Sequence, residues 1–276
     1  MSHPASRILS GSPRLHYLDW NSAGARTIIL LHGNSANAWW WRPLADALSG
    51  TDYRLLAIDM RGHGDSEWVR PPAYAPADYA DDLARLIHAT GVEGAIAAGH
   101  SMGGIAVLAF TLRYHRLVRA VAAIDVAITS TPRRNRYLAR LKTLPTVTYP
   151  DLPTAISRFR LMPDEGAIPA EVMAEVAGQS LGRTTDGRYT MKFDRESFFG
   201  SDGLDSGAAI RAASVPLLLV RGELSRIMSA EAAAQAAAAN PLVELVTIAG
   251  AHHHLPLESP VPLARALGKF AARLEP

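Results

Sequence analysis

The 276-residue chain contains no cysteine. Disulfides, cysteine-ligated zinc, iron–sulfur clusters and a thiol nucleophile are thereby excluded. Long hydrophobic runs are missing too: no stretch approaches the roughly 18 uninterrupted apolar residues that suggest a membrane-spanning helix. The first residues lack the apolar segment of a secretory signal, so a cytoplasmic protein is expected. Charge of one sign is scarce, since 28 basic and 26 acidic residues leave a net charge of +2. Nucleic-acid binders gather basic residues on one face. Only one stretch here is locally basic, so no polynucleotide partner is expected.

What is present suffices for a sizeable core. Hydrophobic residues make up 48% and charged residues 20%, a balance far from that of disordered chains. Short apolar runs rich in branched residues occur at 27–31, 54–58, 95–98, 118–124, 216–220 and 243–248. Runs of this kind suit strands covered on both faces, as in a parallel sheet. Between them the pattern predicts helices at about 37–48, 76–90, 102–114, 229–239 and 260–274. Alternating strand and helix implies an α/β fold, whose sites lie outside the carboxyl ends of the strands. The rhythm breaks over 127–214, where prolines separate amphipathic pieces such as 137–144 and 154–161. A structureless loop of that length is improbable. The segment is therefore expected to be a helical lid inserted into a core domain formed by 1–126 and 215–276.

Gly99-His100-Ser101-Met102-Gly103 fits the pattern G-x-S-x-G. Alone that pattern is weak, but here it follows an apolar strand and precedes a helix, the setting of a nucleophile elbow. The glycines permit a sharp turn that leaves no room for a Cβ, and the turn projects the serine hydroxyl above the sheet. Backbone N–H groups at the helix start then face a developing oxyanion.

These features, taken with two further loops, resemble the α/β-hydrolase superfamily over almost the whole chain. Leu31-His32-Gly33-Asn34 is similar to the family's oxyanion loop, and Asp59-Met60-Arg61-Gly62-His63-Gly64-Asp65-Ser66 to its D-x-R-G-x-G-x-S loop. The resemblance implies a mostly parallel eight-stranded sheet flanked by helices, with an inserted lid. It also implies oxyanion donors at the backbone N–H groups of Asn34 and Met102.

A serine nucleophile needs a general base, usually histidine. In the family's usual ending the base is followed five residues later by an acid and seven later by proline. Glu258 and Pro260 select His253 from the run His252-His253-His254. Adjacent histidines point in different directions and no acidic or cysteine cluster accompanies them, so no metal is expected. The triad acid usually follows the strand after the lid, but this chain reads Gly222-Glu223-Leu224-Ser225-Arg226 there. Asp125 closes the strand before the lid, 24 residues after Ser101, and some relatives place the acid there. Asp125 is the candidate and Glu223 the alternative.

The candidate substrate-binding residues are Gly33, Trp39, Trp40, His100, Arg158 and Arg160. His32 and His63 are expected to be structural. The basic stretch containing Arg133, Arg134, Arg136, Arg140 and Lys142 reads either as a solvated helix face or as a source of arginines that clamp a substrate carboxylate. The expected activity is cofactor-independent hydrolysis of a small ester, lactone or amide, by a monomer or homodimer. Carbon–carbon bond hydrolysis with the same triad, a cofactor-free dioxygenase and a non-catalytic receptor are the alternatives on this fold.

Overall fold

The computed structural model describes residues 3–198 and 204–274. Along the chain the strands are β1 (Ala5–Leu9), β2 (Leu15–Trp20), β3 (Arg26–Leu31), β4 (Tyr53–Ile58), β5 (Ala95–His100), β6 (Val118–Ile124), β7 (Leu181–Arg183), β8 (Tyr189–Met191), β9 (Leu217–Gly222) and β10 (Val243–Ile248). Eight of them form one sheet in the order β1-β2-β4-β3-β5-β6-β9-β10, while β7 and β8 make a separate ribbon. From β4 to β10 every neighbour is parallel, and β1 and β2 are antiparallel. This is the α/β-hydrolase fold.

The helices are α1 (Arg42–Ala47), α2 (Pro76–Thr90), α3 (Met102–Tyr114), α4 (Pro132–Thr143), α5 (Leu152–Arg158), α6 (Ala170–Ser180), α7 (Ser206–Arg211), α8 (Ala230–Ala238), α9 (Leu255–Glu258) and α10 (Pro260–Ala272). Of these, α2, α3, α7 and α8 cover one face of the sheet and α1, α9 and α10 the other, which is why β5 is buried at every position. Its Ala95 and Ala97 join the apolar layer under α2, α3 and α7, and its Ile96 and Ala98 join the layer under α1 and α10. Burial on both faces leaves no reason for polar alternation.

Several elements differ from the sequence expectation. Strands β1 and β2 do not show as continuous apolar runs: β1 is an edge strand with three exposed central residues, and β2 carries His16 and Asp19 within its length. The expected helix at 37–48 divides into a 3-10 turn, Ala38–Trp41, and α1. Pro43 has no N–H to continue a single helix across that point. Helix α4 starts five residues before the expected piece, at Pro132, where the Thr131 side chain accepts from Arg134 N at 3.2 Å. Likewise α5 starts earlier, at an Asp151 cap, and α6 and α7 have no counterpart among the expected pieces.

Between β6 and β9 lie α4, α5, α6, the β7–β8 ribbon and α7. A small apolar cluster ties part of this segment to the rest: Trp40, Ala36 and Leu257 pack with Phe159, Leu161, Val176 and Ala177. By contrast, Ala209 and Ile210 of α7 belong to the main apolar layer with α3. Among the described residues no helix is long and apolar enough to cross a membrane.

Candidate active site

Strand β5 ends at His100 and α3 begins at Met102, so Ser101 alone makes the turn. Its backbone sits at φ 52° and ψ −115°, a strained conformation for a residue with a Cβ. Close backbone approach makes the flanking glycines necessary. A Cβ on Gly99 would lie 2.2 Å from Gly103 O, and one on Gly103 would lie 2.3 Å from Leu31 O. Ser101 caps α3, and its carbonyl accepts from Ile105 N at 3.1 Å. The first-turn amides, Met102 among them, have no carbonyl partner within the helix and are free to receive negative charge. Asn34 lies against this turn, its Nδ2 3.4 Å from the Met102 sulfur.

The loop after β10 brings His253 to the serine. Ser101 Oγ donates to His253 Nε2 at 3.1 Å. On the other side of the ring, His253 Nδ1 donates to Asp125 Oδ2 at 2.6 Å. Asp125 is fully buried at the end of β6 and, like Ser101, has a positive φ, 47°. Its amide donates to Val220 O at 2.7 Å, and its carboxylate accepts from Gly222 N at 3.2 Å and from the Ser225 hydroxyl. Burial pushes the Asp125 carboxyl up to about 7, against the opposing hydrogen bonds from Ser225 and Gly222. Burial also holds the His253 imidazole well below its ordinary value, helped by His254 and Arg134.

The other candidates for acid and base lie elsewhere. Glu223 is exposed, and its carboxylate accepts from Gly250 N at 2.8 Å. The Arg226 side chain is 88% exposed, its Nε 3.9 Å from Glu165 Oε2. His252 Nδ1 faces Glu258 at 3.4 Å, and His254 Nε2 donates to Pro163 O at 2.7 Å. His100 Nε2 donates to His253 O at 2.8 Å, so the residue beside the serine buttresses the loop that carries His253. The Glu165 side chain, only 8% exposed, reaches the same loop and accepts from His253 N at 3.2 Å.

A cavity of about 340 Å³ opens over Ser101 and His253. Gly33, Asn34, Trp40, His100 and Met102 line it from the sheet side, and Arg134, Tyr137, Leu138, Met162 and Phe198 from the segment between β6 and β9. Of the tryptophan run, only Trp40 reaches this cavity. Trp39 stacks edge-on to Trp20, and Trp41 is fully buried in the core.

Arg158 and Arg160 are not brought to the serine. Both are exposed and line a different groove with Phe159 and Arg195. Phe159 ends α5 in extended conformation and takes the buried position, leaving its neighbours outward. The arginine in the wall of the Ser101 cavity is instead Arg134. Arg134, Tyr137, Leu138 and Leu141 recur at helical spacing, so the arginine shares a face with an apolar stripe.

The D-x-R-G-x-G-x-S loop is a structural clasp. Asp59 accepts from His16 Nδ1 at 2.7 Å, Ala38 N at 2.6 Å and Asp65 N at 2.9 Å. Arg61 pairs with Asp82 through two hydrogen bonds, at 2.6 and 2.8 Å. His32 accepts from Met60 N at 3.0 Å. His63, its pKa pushed down to about 3 by burial, lies against the segment between β6 and β9, within 3.3 Å of Ser197 Oγ. Among the described residues, His16, Asp59 and Asp65 alone could converge on a metal ion. Their hydrogen bonds already hold this clasp.

Residues 28–266 match a model of the alpha/beta hydrolase family. The chain is similar to 2-(acetamidomethylene)succinate hydrolase of Mesorhizobium japonicum, 28% identical over 258 residues, covering 88% of this chain and 87% of the relative. A crystal structure of E-2-(acetamidomethylene)succinate hydrolase superposes with a TM-score of 0.86 at 28% identity, covering 98% of this chain and all of the other. Bifunctional epoxide hydrolase 2 of Rattus norvegicus is 27% identical over 192 residues, 63% of this chain and 34% of that protein.

Proposed function

Because the chain belongs to the α/β-hydrolase family, we propose that it is a cofactor-independent serine hydrolase that cleaves a small ester, lactone or amide through an acyl-enzyme. One observation carries this reading: the unbroken hydrogen-bonded line Ser101–His253–Asp125, with the serine on a strained one-residue turn. Epoxide hydrolysis on this fold would need a carboxylate nucleophile, since Ser101 opening an epoxide would leave a stable ether where a carboxylate leaves a hydrolysable ester.

In the proposed reaction, Ser101 Oγ attacks the acyl carbon while His253 Nε2 takes its proton. Asp125 fixes the imidazole tautomer and stabilises the imidazolium. Backbone N–H groups of Asn34 and Met102 receive the oxyanion, a contribution of about 3–4 kcal/mol per donor in comparable sites. His253 then returns its proton to the leaving group. Water, deprotonated by the same imidazole, attacks the acyl carbon and regenerates the serine. The segment between β6 and β9 serves as the lid, and its helix α4 with Met162, Pro163 and Phe198 walls the cavity and excludes bulk water.

Stopped-flow hydrolysis of 4-nitrophenyl butyrate tests the reading. An early burst of nitrophenolate equal to the enzyme concentration is expected from acyl-enzyme accumulation. Ser101→Ala and His253→Ala should each lower kcat by about 10³-fold or more, and the double variant hardly further, because the pair acts as a unit. Undiminished turnover in Ser101→Ala would contradict it.

A further inference from the structure

A second cavity, about 510 Å³, adjoins the first and shares Arg134, Tyr137 and Ile227 as its wall. Its lining contains three arginines, Arg133, Arg134 and Arg226, and four hydroxyl residues, Thr129, Thr131, Tyr137 and Ser229. No described Asp or Glu is among them. Helices α4 and α8 both start here, capped by Thr131 and Ser229, and add partial positive charge to the same space.

The arginines differ from the rest of the basic stretch. Arg136, Arg140 and Lys142 line neither cavity. Arg136 and Arg140 are exposed on the outward face of α4, and Lys142 faces Glu196 at 4.0 Å. Arg134 is half-buried, and among the described residues no carboxylate pairs with its guanidinium. Burial disfavours its charge. Among the described residues the only carboxylate near Arg226 is Glu165, at 3.9 Å. Keeping a partly desolvated cation unpaired is unfavourable unless a ligand completes it. A planar guanidinium is suited to the two oxygens of a carboxylate or phosphate.

We propose that the second cavity is an oxyanion-binding subsite: Arg134 holds a carboxylate or phosphate group of the substrate at the junction of the two cavities, with Arg133 and Arg226 at the rim, while the scissile acyl carbon lies over Ser101. The last clause rests on the serine-hydrolase reading; the anion site itself does not. A substrate bound this way spans both cavities. Its anionic end is read by the cations, and its acyl end is held against Trp40, Leu138 and Phe198. The bound anion also neutralises Arg134, whose charge disfavours protonation of His253, and so favours the imidazolium that forms during attack.

Thermal shift and calorimetry with adipate, pyrophosphate and the neutral adipamide test the anion site without requiring turnover. At least one of the anions should raise the Tm of the protein, by an amount that grows with the logarithm of its concentration over Kd, and adipamide should not. Tighter adipate binding assigns the group as a carboxylate, tighter pyrophosphate binding as a phosphate. Arg134→Gln should weaken the anion about 10- to 150-fold, the value of one charge-assisted hydrogen bond. Arg134→Lys should lose part of that, since a point charge replaces the fork, and it gives the comparison should the glutamine variant fold poorly. Arg136→Gln, on the solvated face, is the control. Anions that stabilise no more than adipamide, or that bind Arg134→Gln and Arg134→Lys as well as Arg136→Gln, overturn the subsite. A nitrophenolate burst without anion binding keeps the hydrolase reading and removes the subsite; anion binding without a burst does the reverse.

Discussion

The Ser225 hydroxyl donates to Asp125 Oδ2, the same oxygen that accepts from His253 Nδ1. Ser225 stands in the loop after β9, where the resemblance places the acid of most relatives. Here that loop supplies a donor that supports an acid on β6. Hydrogen bonds to the charged form of a carboxylate lower its pKa, so Ser225→Ala should push Asp125 further up. The acidic limb of kcat/KM should move to higher pH in that variant, and activity at pH 7 should drop by roughly 10-fold for every pH unit the limb moves. An unchanged limb would separate Ser225 from the acid.

Asp125→Asn should lower kcat by about 10²–10⁴-fold, the penalty for holding the imidazole in the wrong tautomer. Glu223→Gln should retain most activity, because the exposed Glu223 carboxylate is engaged with Gly250 N. The opposite ranking in initial-rate measurements would return the acid to the loop after β9.

The pH profile follows from the same pair. Catalysis needs Asp125 ionised and His253 neutral, and groups in such close contact take up a proton as a unit. Burial raises the Asp125 carboxyl to about 7. A raised carboxyl loses its charge as pH falls through that value, so kcat/KM should be level above about pH 7 and fall about tenfold per pH unit below it. In Asp125→Asn only the buried imidazole remains to titrate, held down by burial, His254 and Arg134. Its residual activity should therefore extend to lower pH than the wild type's. A limb that stays near 7 in the variant would contradict this assignment.

Gly103→Ala should destabilise the protein by about 1–3 kcal/mol or more in urea unfolding, the usual penalty of overpacking. The added Cβ would meet Leu31 O at 2.3 Å and His32 O at 2.6 Å, both backbone atoms that cannot swing aside. Relief requires moving the loop that carries Asn34, so activity should fall more than stability alone explains. A variant with wild-type midpoint and rate would show that the elbow tolerates a side chain.

The β-α order was legible because parallel strands covered on both faces must be apolar throughout, as β5, β6 and β9 largely are. The elbow was legible because one turn geometry demands glycines at 99 and 103. Strands β1 and β2 were hidden for the converse reason: an exposed edge strand and a neighbour that places His16 and Asp19 in the Asp59 clasp and against Arg54 have no continuous apolar run. The outward placement of Arg158 and Arg160 was not legible, because only packing shows that Phe159 between them fills the buried position. Arg134 could have been found from the stripe of Tyr137, Leu138 and Leu141 on its own helix face. Support for His253 from Glu165 and His100 depends on contacts between distant segments, and no local pattern announces it.

Covalent labelling tests the central claim most directly. Intact-protein mass spectrometry after treatment with a fluorophosphonate, followed by peptide mapping, reads the nucleophile itself. A Ser–His–Asp line of this geometry predicts a single adduct on Ser101, absent in Ser101→Ala and at least about 10³-fold slower to form in His253→Ala. A protein that stays unmodified, or that carries its adduct on another residue, would contradict the account.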